Sequence, residues 1–283
     1  MKREKPMSCR DILCIFESEK GSLTPAFHQA LAFANMQRAH LTVYSAARKV
    51  TPPGASFGGS LVSGAISTAN ATLRESADAA ANAARDCART SGLIHEVGVH
   101  EGMVGDIAEW AGRRARLADV TILDQTGPAL QIQEAIFEQV LFSSGRPAII
   151  ATPHKTSQRV ERMCVAWNGT TVAARALGDA LGLFPDVKKI DIVCILSKKG
   201  NAGRVPGVDA AQHVSRHGID VNVVDLPLAE STVAATIDAY ARTSGADLTV
   251  MGGFGHSRLR EFILGGVTRE LTAKTSVPLL LSH

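Results

Sequence analysis

The chain has no C-x-x-C pair, no long apolar run, few aromatic residues and almost no net charge, and each shortage removes a class of function. Its five cysteines, Cys9, Cys14, Cys87, Cys164 and Cys194, are scattered and odd in number, so they signal neither a disulfide framework nor a zinc site. Cys14, Cys164 and Cys194 lie inside apolar runs and read as small buried side chains. No stretch approaches the ~18 consecutive apolar residues of a membrane helix. The apolar run from Ile12 to Phe16 follows a basic start but is broken at Glu17, too early for a signal peptide core. A cytoplasmic location with no membrane partner is expected. A net charge of +3, two Trp and two Tyr supply neither a polyanion groove nor base-stacking platforms, so no nucleic-acid partner is expected either.

What is present is the composition of a globular protein, 45% apolar and 20% charged over 283 residues, a length that suits two domains with a core each. Strand-like apolar runs alternate with helical patterns throughout. "DILCIF", "AHLTVYSA", "IHEVGVH", "ADVTIL" and "PAIIA" are separated by helical stretches at 22–38, 66–91, 104–117 and 129–142. "ERMCVAWNG", "KIDIVCIL", "IDVNVVDL", "ADLTVMG" and "VPLLLSH" follow, separated by helical 170–183, a short helix near 207–216, helical 230–244 and a glycine loop with its helix. Such alternation predicts parallel sheets with helices on both faces. The second series repeats the first: "LADVTIL" and "GADLTVM" align Asp119 with Asp247 at an offset of 128, and "RPAIIA" and "VPLLLS" align Pro147 with Pro278 at an offset of 131. The division falls in the polar stretch at 152–160, giving domains 1–153 and 154–283. The Pro/Gly/Ser-rich "TPPGASFGGSLVSG" predicts a loop ahead of the long helix, and the alanine-rich helix itself reads as a surface helix laid closely on a sheet.

One segment asks for a chemical explanation. "MGGFGHSRLREFILGGVTREL", residues 251–271, holds five glycines in its first sixteen positions. Glycine is used where another group must approach the backbone closely. Here Gly252-Gly253-Phe254-Gly255 follows a strand, and Gly265-Gly266-Val267-Thr268 opens a helix whose first N–H groups have no intrahelical partner. An anion is the expected ligand. In open α/β sheets ligands lie beyond the carboxyl ends of the strands, and "VAWNGT" ends the second half's first strand in Asn168 and Gly169.

Gly252-x-x-Gly255-x9-Gly265 with small residues after it resembles the nucleotide loop of the universal stress protein (UspA) family, and "VAWNGT" resembles that family's first-strand element. The resemblance covers nearly the whole chain as two domains in tandem. It implies two Rossmann-like domains of the adenine nucleotide alpha hydrolase-like kind, each a five-stranded parallel sheet flanked by helices. It further implies that ATP, with or without Mg2+, binds the second domain. Asn168 would face the adenine or ribose beside Ala166 and Trp167, Met251 the base, Gly252 and Gly255 the ribose and α-phosphate, and Gly265, Gly266, Val267 and Thr268 the phosphates. Gly266 stands where the family has Ser or Thr, and Asn168 where it has Asp. The first half lacks the three spaced glycines, which makes it a degenerate domain in which Glu17 serves no nucleotide. The resemblance also implies that "PAIIA" and "VPLLLS" adjoin, so that one chain imitates a dimer.

The function expected is a regulatory or stress-response role governed by nucleotide occupancy. A nucleotide-independent interaction scaffold with a vestigial loop, and a slow ATP hydrolase or phosphotransferase, are the alternatives. No catalytic residue is assigned, since no carboxylate in the loop is placed to hold a metal or act as base. A homodimer or a protein partner is compatible with the sequence. His256, Ser257, Arg258 and Arg260 could reach phosphates or form a solvated loop face, and Leu259, Phe262 and Ile263 read as core. His213 and His217, four apart, lack a third metal ligand and read as a solvent-facing pair. Arg113, Arg114 and Arg116 complement a helix C-terminus.

Overall fold

A computed structural model describes residues 9–18, 20–51, 60–127, 131–153, 159–196, 207–228, 230–253 and 266–283. The first half runs β1 (Asp11–Glu17), α1 (Pro25–Gln37), β2 (His40–Arg48), α2 (Ser60–Thr90), β3 (His95–Gly102), α3 (Val104–Ala115), β4 (Val120–Leu123), α4 (Gln131–Ser143) and β5 (Ala148–Ile150). The second runs β6 (Arg162–Ala166), α5 (Thr171–Leu183), β7 (Lys189–Leu196), α6 (Val208–Arg216), β8 (Asp220–Pro227), α7 (Val233–Thr243), β9 (Leu248–Gly252), α8 (Gly266–Ala273) and β10 (Leu279–Ser282). The strand and helix assignments made from periodicity hold throughout. The long helix α2 takes in Ser60 to Gly64, earlier than the loop-forming composition there suggests; residues 52–59, the rest of the expected loop, lie outside the described residues.

The strands form one ten-stranded sheet in the order β3-β2-β1-β4-β5-β10-β9-β6-β7-β8. Each half is parallel within itself, and the halves join where β10 meets β5 antiparallel, with Leu279 opposite Ile150, Leu280 opposite Ile149 and Leu281 opposite Ala148. "PAIIA" and "VPLLLS" therefore do adjoin, by main-chain pairing. Within each half the order is third, second, first, fourth, fifth, so the winding reverses between β1 and β4 in the first half and between β6 and β9 in the second.

The expectation of one core per half is corrected. Alternate residues of a strand point to opposite faces, so Ile12, Cys14 and Phe16 of β1 enter one apolar cluster and Leu13 and Ile15 enter another. Each of these clusters runs across the junction. The first joins Phe27 of α1 to Leu177 and Leu183 of α5, and Phe33 stacks on Phe184 at 5.1 Å between ring centroids. The second joins Phe137 and Leu141 of α4 to Leu271 of α8 and Leu279 and Leu281 of β10. A continuous sheet has two buried faces rather than two ends, and the cores follow the faces.

The repeat seen in the sequence has a structural cause. Asp119 Oδ2 accepts backbone N–H bonds from Arg10 and Asp11 at 2.7 and 3.0 Å, and Asp247 Oδ2 accepts them from Glu161 and Arg162 at 2.9 and 3.0 Å. Each aspartate thus fastens the start of its half's first strand to the start of its fourth. The thiols of Cys9, Cys14, Cys164 and Cys194 are buried, as apolar context predicts for the last three, and burial pushes Cys9 and Cys164 up to about 12 and Cys194 to about 11. They are inert fillers at neutral pH.

Candidate functional site

The reversal between β6 and β9 brings together the residues that the sequence singles out on two separate strands. Ala166, the last residue of β6, pairs in register with Met251 of β9, and Met251 pairs in turn with Leu281 of β10. Asn168 and Gly252 lie just beyond this row, at the carboxyl ends of adjacent parallel strands. Met251 is buried, Ala166 and Trp167 are half-buried, and Asn168 is exposed. The Trp167 N–H donates to Val193 O at 2.8 Å, which continues the ladder one residue beyond β6.

After Trp167 the chain turns sharply at Gly169, whose φ of +75° is a left-handed conformation that favours glycine. Asn168 Oδ1 closes the turn by accepting from both the N–H of Thr170 at 3.2 Å and its hydroxyl at 2.7 Å. The Thr170 oxygen also accepts from the N–H of Ala173 at 3.3 Å, capping α5. The side chain of Asn168 is therefore held by its oxygen, with the amide nitrogen as the donor end. Thr170 was not singled out from the sequence, although a Thr two residues after an Asn-Gly turn and at the head of a helical pattern is a legible cap signal.

Gly252 has a packing reason to be glycine. A Cβ there would stand 2.6 Å from Val172 C and from Ala173 N, so β9 presses directly on the first turn of α5. Gly266 differs: among the described residues a Cβ would meet nothing within 4 Å, and the residue is exposed at the first position of α8. Thr268, 3% exposed, turns inward with Leu271 and Thr272, and Val267 is half-buried against the second core. Gly255 and Gly265, with His256, Ser257, Leu259, Phe262 and Ile263 and both arginines between them, lie outside the described residues. The far end of α8 is tied to the first half. The Thr126 N–H donates to Thr272 O at 2.9 Å, Gln125 Nε2 donates to Thr275 O at 2.8 Å, and Arg269 stands 3.5 Å from Glu134.

At the matching reversal of the first half, Glu17 occupies the place of Asn168 and Asp124 the place of Gly252. Asp124 Oδ1 accepts the N–H of Ala26 at 2.8 Å, capping α1 from the neighbouring strand end. Thr24, the residue ahead of α1, makes no capping bond. Burial pushes the Asp124 carboxyl up to about 6, against the hydrogen bonds from the Ala26 N–H and the Thr24 hydroxyl, which lower it. Glu17 pairs with Arg48 Nε at 3.0 Å. His213 and His217 are both exposed, and among the described residues no group of three metal-binding side chains occurs. No helix among them is long and apolar enough to cross a membrane.

Residues 160–283 match the model of the Universal stress protein family. The chain is 26% identical over 168 residues to the universal stress protein Slr1230 of Synechocystis sp., a match spanning 57% of either protein. Among solved structures it is similar to a universal stress protein from Archaeoglobus fulgidus (16% identity, 95% of each chain, TM-score 0.64). It is similar also to a proposed universal stress protein from Pseudomonas aeruginosa UCBPP-PA14 (13% identity, 98% of this chain and 95% of that one, TM-score 0.57). At such identities the structures speak for the fold alone.

Proposed function

We propose that the second half binds an adenine nucleotide, ATP, at the reversal between β6 and β9, and that occupancy regulates the protein rather than feeding a dedicated reaction. The match of the second half to the family model supports a role in the stress response. The observation that carries the nucleotide reading is the topology: the β6 and β9 carboxyl ends adjoin where the winding reverses, the place where open α/β sheets take ligands. The Asn168 amide nitrogen would serve as donor to the base or ribose, and Met251 and Ala166 would flank it. The first-turn N–H groups of α8, at Gly266, Val267 and Thr268, would meet the phosphates with the helix dipole behind them. Gly255 and Gly265 would complete the cradle, and Mg2+ would be held by the phosphates and water. The far end of α8 is bonded to the β4–α4 connection, so a nucleotide that orders its near end acts on a helix already joined to the other half. It shifts the population only in proportion to its preference for one arrangement.

Gly266→Asp tests the reading cleanly. The new side chain meets no atom of the described residues and sits at a helix N-terminus, where a carboxylate is favourable, so stability is retained or slightly raised. The same charge repels phosphates. ATP binding measured by calorimetry should fall by about tenfold or more, the equivalent of about 1.4 kcal/mol, with thermal unfolding unchanged. Equal ATP affinity in both proteins would remove α8 from the site, and no ATP binding by the parent protein would favour the interaction-scaffold alternative.

A further inference from the structure

The reversal point of the first half, which the nucleotide reading leaves without a task, holds a pocket of about 240 Å³ lined on its polar side by Glu17, Thr24, Asp124 and Gln133. Pro25, Ala151 and Pro153 form its apolar wall. Gln133 Oε1 is buried with no hydrogen-bond partner among the described residues, and Asp124 Oδ2 and Thr24 Oγ1 are buried with only the Thr24 hydroxyl directed at the Asp124 carboxyl between them. Gln133 is only 1% exposed. A buried polar atom without a partner costs free energy and calls for an explanation. Three buried oxygens with accepting capacity left over, around one cavity, are explained together by a donor that binds there.

The charges set the kind of donor. Glu17 is offset by Arg48 at 3.0 Å, whereas Asp124 has no ion-pair partner among the described residues. Among the described residues no Lys, Arg or His lines the pocket, so phosphate and other anions meet no counter-charge among them. A hard divalent cation is poorly served as well, because it takes six or more oxygen ligands, and no cluster of three acidic, histidine or cysteine side chains is found among the described residues. A primary ammonium carries three donors and no acceptor. That number matches the three buried oxygens, and the proline and alanine wall suits a short alkyl tail.

We infer that the first-half pocket is a binding site for a small primary alkylammonium ion, its N–H groups taken by Asp124, Gln133 and Thr24 and its tail by Pro25, Ala151 and Pro153. The site stands where Glu17 and Asp124 end adjacent parallel strands, the same topological position as the proposed nucleotide site, but with the opposite charge preference. It does not depend on the nucleotide reading.

The experiment titrates the full chain with n-butylammonium chloride and, separately, with n-butanol, following binding by calorimetry and ligand-observed NMR. Saturable binding of n-butylammonium, with n-butanol weaker by about tenfold or more, is expected. Asp124→Asn keeps the oxygen that caps α1 while removing the charge, and should weaken n-butylammonium by about tenfold or more. Gln133→Met, close in volume, should weaken it several-fold, each variant being shown to fold by circular dichroism. Gly266→Asp should leave it unchanged, which keeps this site separable from the one in the second half. Equal affinity for n-butanol, displacement by Mg2+, indifference to both pocket substitutions, loss in Gly266→Asp, or no binding up to about 50 mM would each overturn the assignment.

Discussion

Two reversal points built from one repeated pattern face solvent with different chemistry. In the first half a glutamate and an aspartate end the adjacent strands; in the second an asparagine and a glycine do. The difference reaches into the helix that follows. Where Asp124 is present it caps α1 at 2.8 Å and leaves Thr24 without that task, whereas beside Gly252 the capping of α5 falls to Thr170. One acidic residue therefore changes both the electrostatics of a site and the division of labour around it. A duplicated fold can keep its strand order while one copy ends these strands in carboxylates and the other in an amide and a glycine.

The largest expected effect comes from forcing the two copies to be alike. Gly252→Asp places a Cβ 2.6 Å from backbone atoms of α5 that have nowhere to move, so urea denaturation should show a loss of about 3 kcal/mol, at the upper end of overpacking costs. Full retention of stability would mean that the close approach is not a packing requirement. The converse change, Asp124→Asn, should stabilise. The Asp124 carboxyl titrates at about 6 in the folded chain against 3.8 in the unfolded one. The folded state therefore binds the extra proton between those values, and stability is fully present below the lower value and lost as pH rises through the higher. Relative to Asp124→Asn, the parent protein should lose up to about 3 kcal/mol between pH 4 and pH 7, read from denaturation curves at both. A flat difference would show that Asp124 is solvated.

Where the halves are alike, substitutions should act alike. Asp119→Ala and Asp247→Ala each remove a carboxylate holding two backbone N–H groups and should each cost about 2 kcal/mol; a large inequality would break the equivalence of the two clamps. The smallest effect separates the caps. Thr170→Ala should cost about 1 kcal/mol and Thr24→Ala close to nothing, because only the former makes the capping bond. Thermal unfolding of the pair resolves the difference, and equal losses would contradict the assignment of the α1 cap to Asp124.

Much of this architecture was legible in the chain, because local patterning is what defines it. Buried parallel strands must be apolar on both faces, and "KIDIVCIL" or "VPLLLS" can hardly be anything else once helical stretches flank them. The paired "AD" landmarks were visible as a repeat at a fixed offset. Their meaning was not, since the bond from Asp119 to Arg10 spans the whole half. The same holds for Gly252. Its sequence context points to a ligand, while the reason evident in space is the backbone of α5, which arrives from eighty residues away.

The amino-acid sequence by itself determined the order and type of the elements, the split into two related halves and the inert cysteines. These rest on spacing between neighbours and on side-chain character, which a linear chain displays. Only the tertiary structure decided that the two halves share both cores, that Asp124 and Glu17 meet at a pocket, and that Ala166 stands beside Met251. Each of these is a pairing of segments whose register is set by strand hydrogen bonds and burial across long loops, and no local pattern encodes such a pairing.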